Sequence, residues 1–157
     1  MAYRPNVTNT SIPCFNAYVG TTVANVTGDG TAYSVIFNTE INDQTSNYNN
    51  STGIFTAPVT GNYLFNSTIA LSGIILQTAS LINFTGSAYG IVPFEVGQTN
   101  AFNNNIGTAT AIVKMTAGDT MSVVVYSFGS TKTVSLTGGA PAAGLTVTST
   151  FSGCLLC

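Results

Sequence analysis

Side chains able to do covalent or acid–base chemistry are few. The chain of 157 residues has no histidine and no tryptophan; its acids are Asp29, Glu40, Asp43, Glu95 and Asp119, its bases Arg4, Lys114 and Lys132, and its thiols Cys14, Cys154 and Cys157. Without histidine, every Ser-His-Asp or Cys-His arrangement and every histidine-bound metal is excluded. Glu40 and Asp43 are the only carboxylates close together in sequence, and paired carboxylates can act as general acid and base. Their place in a strand-to-turn passage reads more simply as solvated turn charge. No Gly-rich stretch ends in Gly-Lys-Ser/Thr or opens a helix, so there is no phosphate-cradling motif. Cys154 and Cys157 have the Cys-x-x-Cys spacing but no histidine or helix to make it a metal or redox motif. The expectation is a protein that is not an enzyme and holds no catalytic residue, metal or cofactor.

Composition narrows the partners. Charged residues make up 5% of the chain and hydrophobic ones 45%, where a typical soluble domain has about 25% charged residues. Thr, Asn, Ser and Gly together supply 71 residues, so neutral hydroxyls and amides must form the surface. Three basic side chains cannot track a phosphate backbone, which excludes nucleic acid. Between Asp43 and Glu95 lie 51 uncharged residues, yet the most apolar stretch, 69–82, is interrupted by Ser, Gln, Thr and Gly. It falls short of the roughly 20 residues a spanning helix needs, so membrane insertion is not expected. The opening Met1-Ala-Tyr-Arg-Pro-Asn has no apolar h-region. The expected location is extracellular or a particle surface, reached as part of a larger export substrate or of a particle assembled inside a cell.

The elements that must carry these residues are strands. Val, Ile and Thr account for 50 residues, and runs of period two recur between turn clusters, the signature of a sandwich or barrel. Strands are expected over 14–19, 33–38, 53–56, 62–71, 76–84, 89–96, 108–116, 120–128 and 148–156. The turns between them include Thr27-Gly-Asp-Gly30, Asn47-Tyr-Asn-Asn-Ser-Thr-Gly53 and Ala117-Gly-Asp119. In 62–71 one face holds Tyr63, Phe65, Ser67, Ile69 and Leu71, and the other holds Leu64, Asn66, Thr68 and Ala70. Both faces are partly apolar, as they are in 120–128, which points to a sheet covered by another copy of the chain.

One segment carries a family resemblance. Thr52-Gly-Ile-Phe-Thr-Ala-Pro-Val-Thr-Gly-Asn-Tyr-Leu-Phe65, with Tyr48 before it, resembles the signature of the complement C-one-q globular head, a relative of the tumour necrosis factor superfamily. Tyr48, Thr52, Gly53, Phe55, Pro58, Gly61, Tyr63 and Phe65 fall at the matching spacings. The likeness extends upstream through Phe15-Asn-Ala-Tyr18 and Tyr33-Ser-Val-Ile-Phe37. Downstream it runs through Gly107-Thr-Ala-Thr-Ala111 and Lys114-Met-Thr-Ala-Gly-Asp119, without the family's proline, to the closing Thr150-Phe-Ser-Gly-Cys-Leu-Leu156. It covers 14–157, with 1–13 as a short leader.

The resemblance implies an all-β, ten-strand jelly-roll sandwich that assembles as a homotrimer around an apolar axis. Phe55, Tyr63, Phe65, Ile69, Phe151 and Leu155 then read as scaffold of the core and trimer contact, with Pro58 and Gly61 bracketing a turn and Gly153 marking a close backbone approach. First and last strands would be antiparallel neighbours, bringing Cys14 near Cys157. A disulfide between those two, a bridge between subunits, and three buried thiols all stay open. Some relatives use calcium, and Asp29, between two glycines, is a weak candidate ligand beside its plainer reading as an Asp-Gly turn. Strand direction places 72–75, 97–105 and 129–144 at the end away from the termini. There Gln98, Asn100, Phe102, Asn103, Asn104 and Asn105 set amides around an aromatic, a composition suited to a neutral polar ligand such as a cell-surface glycan or to a protein receptor. The leading functional expectation is the trimeric head of a surface fibre or appendage of a virus, phage or bacterium, attaching through several weak sites at once. The alternatives are a structural capsid, coat or matrix trimer without a receptor, and a secreted cytokine-like or complement-like ligand. Seven Asn-x-Ser/Thr sequons, at Asn6, Asn9, Asn25, Asn49, Asn50, Asn66 and Asn83, are what so much Asn and Thr yields by chance.

Overall fold

The computed structural model describes residues 12–75, 79–87, 92–96, 104–140 and 148–157, with only the backbone of 92–96 and 104. Thirteen strands lie among the described residues: β1 (Cys14–Tyr18), β2 (Val23–Thr27), β3 (Tyr33–Ser34), β4 (Thr39–Asp43), β5 (Tyr48–Asn49), β6 (Ile54–Thr56), β7 (Gly61–Ser72), β8 (Ala79–Gly86), β9 (Val92–Val96), β10 (Asn104–Met115), β11 (Thr120–Phe128), β12 (Val134–Leu136) and β13 (Thr150–Leu155). A seven-stranded sheet runs β2-β12-β7-β13-β1-β4 with β10 on the other edge of β7, and a six-stranded sheet runs β5-β6-β11-β8-β9 with β3 also on β11. All pairings are antiparallel.

Each of the nine expected strands has one counterpart, and the long strands β7 and β11 change partner along one edge. β12 takes Leu71 and Ser72 of β7, while β13 takes Tyr63 to Thr68 of the same edge. On β11, β6 pairs with Thr120 and Met121 and β3 with Val124 and Val125. Four strands lie outside the sequence expectation: β2, β4, β5 and β12. They are short, β4 is mostly exposed and β2 has its two buried residues, Val26 and Thr27, side by side, so they carry little alternation; distant partners define them. β10 begins at Asn104, four residues earlier than expected, because it pairs with the whole of β7.

Burial follows the period-two pattern where the core lies. Tyr63, Phe65, Ile69, Phe55 and Phe151 are buried within the single chain, and Leu155 packs partly buried against them. These residues fill the space between the two sheets, so their rings are spent on the core of one chain and are not available to a neighbour. Phe15 stacks on Tyr48 at 4.7 Å between ring centroids and meets Phe151 edge-on at 4.9 Å. Such offset and edge contacts add to simple area burial. Tyr48 also donates its hydroxyl to the Phe37 carbonyl at 3.1 Å, and Tyr63 donates to the Val59 carbonyl at 2.7 Å, pinning the turn after Pro58.

Two signature glycines are explained by crowding. A Cβ on Gly153 would lie 2.7 Å from the rings of both Phe15 and Phe65, so the close approach is of side chains. A Cβ on Gly61 would lie 2.7 Å from the Cys157 carbonyl and press on Leu155. Gly61 therefore admits the last strand; it is the first residue of β7 and lacks a positive φ.

The cysteine pairing differs from the expected Cys14–Cys157. Cys14 is bonded to Cys154, and Cys157 is free and exposed. The strand neighbours are the expected ones, but the register sets Cys14 opposite Cys154. Cys157 lies beyond the end of β13, where its Sγ accepts from Asn62 Nδ2 at 3.6 Å.

Candidate functional site

The outward face of the seven-stranded sheet is built by β10 and β7. Their register sets Ile106 opposite Ala70, Thr108 opposite Thr68, Thr110 opposite Asn66, Ile112 opposite Leu64 and Lys114 opposite Asn62. The inward residues of β10, Ala109, Val113 and Met115, are buried, so its alternate residues must face away from the core. Ile112 is 67% exposed and Ile106 53%. Between these two isoleucines the polar rows bond to each other: Asn66 Nδ2 donates to Thr110 Oγ1 at 2.8 Å, and the Thr68 and Thr108 hydroxyls are 3.2 Å apart. Cross-strand bonds of this kind use up hydrogen-bonding capacity and leave a flat, nearly neutral surface with apolar ends. Lys114 is the one charge in these paired rows.

Sequence reasoning recognised that both faces of 62–71 are partly apolar but missed the β10 isoleucines. Their signal was present as Ile106-x-x-x-x-x-Ile112, an even spacing that places both on one strand face. The start of β10 inside an expected loop obscured it.

The opposite end of the sandwich from Cys14 and Cys154 is formed by 28–30, 72–75 and 129–134. Ser130 N–H donates to the Gly28 carbonyl at 3.0 Å, and a Cβ on Gly73 would lie 2.9 Å from the Thr133 carbonyl, so these segments pack together. Asn104 and Asn105 do not lie in an apical loop as expected: they open β10 opposite Ser72 and Leu71, and Asn105 is buried. Pairing along the full length of β7 draws them into the ladder. Gln98, Asn100, Phe102 and Asn103 lie outside the described residues.

Asp29, the candidate calcium ligand, is turned back into its own turn. Its carboxylate accepts the Thr31 N–H at 3.0 Å, and hydrogen bonding from the Thr31 side chain, then from that N–H, holds its pKa below the ordinary carboxylate value, with a smaller contribution from Lys132. Among the described residues no three His, Cys, Asp or Glu side chains cluster to hold a metal. Glu40 and Asp43 lie on edge strand β4 opposite Ala17 and Phe15, either side of a register shift, and Asp43 Oδ2 accepts the Tyr48 N–H at 2.9 Å. That bond makes Asp43 a turn-closing residue.

Two antiparallel sheets, the aromatic core around Phe65 and Phe151, and the tyrosine-pinned turns coincide with the family resemblance. The C1q domain model matches residues 17–156. The chain belongs to the C1q domain family. No match was found among curated proteins. Among solved structures, the globular domain of zebrafish complement 1qA protein is similar with a TM-score of 0.61 at 18% identity, covering 92% of this chain and 98% of that one. The Eiger TNF of S. frugiperda is similar with a TM-score of 0.60 at 16% identity, covering 93% of each chain. Murine APRIL at pH 5.0 gives a TM-score of 0.61 at 10% identity, covering 92% of this chain and 99% of that one. At these identities the likeness shows the fold, an all-β jelly roll shared by C1q-like and TNF-like proteins. C1q-like and TNF-like domains are non-enzymatic, trimeric ligand or recognition modules and are typically extracellular or secreted.

Proposed function

We propose that this C1q-domain chain is the homotrimeric head of a surface fibre or appendage of a virus, phage or bacterium, binding a receptor or glycan through three copies of one weak site. The observation that carries the reading is the outward face of β7 and β10, with Ile106 and Ile112 more than half exposed on a nearly uncharged surface. Covering an isoleucine side chain contributes about 1.5–3 kcal/mol, so three identical faces turned inward favour a closed trimer. An internal disulfide joining the first and last strands suits an oxidising exterior.

Attachment is assigned to the segment that precedes β10, with Gln98, Asn100, Phe102 and Asn103 as contact residues. What supports this is chain direction: Asn104 enters β10 opposite Ser72, at the end away from Cys14 and Cys154. Three weak sites held on one trimer raise avidity without any new contact.

Light scattering tests the assembly: the expected mass is three times 16.2 kDa, and a stable monomer at 16.2 kDa would refute it. Glycan-array and cell-binding measurements on the trimer, with Phe102→Ala and Gln98→Ala, test attachment. Loss of binding in these variants supports the apical site. A trimer that binds no surface would instead be a structural coat or matrix block.

A further inference from the structure

The turn between β4 and β5, Asp43-Gln-Thr-Ser-Asn47, carries three side-chain oxygens shut off from solvent and without a hydrogen-bond partner: Asp43 Oδ1, Thr45 Oγ1 and Asn47 Oδ1. Among the described residues only one other side-chain oxygen, Asn83 Oδ1, shares that condition. Buried polar atoms are almost always paired, so three orphans in five residues need an explanation.

The turn is tied down on three sides. Asp43 Oδ2 accepts the Tyr48 N–H at 2.9 Å, the Gln44 N–H donates to the Cys14 carbonyl at 3.1 Å, and the Asn47 carbonyl accepts the Thr56 N–H at 2.8 Å. Ser46, at φ 54°, reverses the chain inside it. The orphaned oxygens come from alternate residues, Asp-x-Thr-x-Asn, the spacing by which tight loops present oxygens to a hard cation. A carboxylate oxygen and an amide oxygen can only accept, so one electron-poor guest satisfies both without a donor from the protein. Glu40, three residues before Asp43 on β4, adds a second negative charge to the same strand.

We propose that this turn binds a hard divalent cation, calcium by preference, through Asp43 Oδ1, Thr45 Oγ1 and Asn47 Oδ1, with water completing the shell. Calcium takes six to eight oxygens and tolerates irregular geometry, whereas magnesium demands a near-ideal octahedron. With one ligating carboxylate the site belongs with the weak extracellular class, of dissociation constant roughly 10⁻⁴–10⁻³ M. The cation would clamp β4 of one sheet to β5 of the other, beside the Cys14–Cys154 bridge. It is separate from Asp29, which lies at the opposite end of the sandwich.

The test uses the full disulfide-bonded chain. Thermal melts in EDTA and in about 10 mM calcium chloride are compared, and terbium luminescence sensitised by tyrosine, Tyr48 being adjacent, is titrated with competing calcium. A higher midpoint in calcium and calcium-reversible terbium emission are expected. Thr45→Val and Asn47→Ala should each weaken calcium binding about tenfold or more while keeping the wild-type fold in EDTA. Asp43→Asn should abolish it, and Thr45→Val remains informative if that variant fails to fold, because it keeps the side-chain shape. An unchanged midpoint with no calcium-competed emission would overturn the proposal, as would variants that bind calcium like the wild type.

Discussion

Cys14 and Cys154 face one another across the first and last strands, their Cα atoms 4.2 Å apart, and are bonded across 140 residues of sequence. The bridge closes nearly the whole chain into one loop, so it removes much of the freedom of the unfolded state. Cys14→Ser or Cys154→Ser is expected to cost about 2–5 kcal/mol. Cys157→Ser, at an exposed thiol outside the strand, should leave stability unchanged. Denaturant unfolding with and without reductant checks both: reductant should destabilise the wild type and the Cys157 variant but not the other two.

Gly153 is held between the rings of Phe15 and Phe65. Gly153→Ala forces a methyl group into 2.7 Å contacts with both rings, and overpacking of this kind costs about 1–3 kcal/mol. Phe151→Ala, which empties the centre of the same cluster, should cost about 3–5 kcal/mol. Equilibrium unfolding of the oxidised protein measures each. A Gly153→Ala variant as stable as the wild type would mean the rings move aside freely.

Ile112, the most exposed isoleucine of β10, tests the outward face. Ile112→Asp adds a charge there while leaving the buried residues of β10 in place. The expected result is dissociation or loss of soluble protein, and Ile112→Val should keep the trimer. Sedimentation velocity separates the two. A trimer that tolerates aspartate at 112 would place the assembly contact elsewhere.

Alkaline pH reaches the core through Tyr48. Burial pushes its hydroxyl well above the ordinary tyrosine pKa, with the Glu40 charge adding to the effect, and burial also raises Tyr33 and Tyr63. The folded state therefore favours the neutral phenol. That contribution is complete below the unfolded value of about 10 and is lost progressively as pH rises above it. Stability should fall above about pH 10, with late tyrosinate absorbance appearing together with unfolding. Tyr48→Phe should lower stability at neutral pH by about 1 kcal/mol, through the unpaired Phe37 carbonyl, while flattening the alkaline decline.

Local features made most of the scaffold legible in the sequence. Tyr63 and Phe65, two residues apart, had to share a strand face, and both lie buried in the core. The edge pieces were harder to read. β4, Thr-Glu-Ile-Asn-Asp, is polar and mostly exposed, and it is a strand because β1 lies beside it. Asp43 was visible only as half of a carboxylate pair. Its grouping with Thr45 and Asn47 became apparent once the turn was closed and their oxygens were buried.

Residue types alone determined that this chain lacks histidine chemistry, cannot track nucleic acid, is all-β and has a neutral exterior, because those properties depend on composition and on the two-residue period of a strand. The tertiary structure decided what depends on register and on covering. Cys14 bonds to Cys154 because antiparallel pairing brings those two positions opposite each other. Phe65 and Phe151 are spent on the core of one chain while Ile106 and Ile112 are left outside it. Each of these outcomes is set by neighbours far away in sequence, and no local pattern records which strand, at which offset, comes to lie alongside.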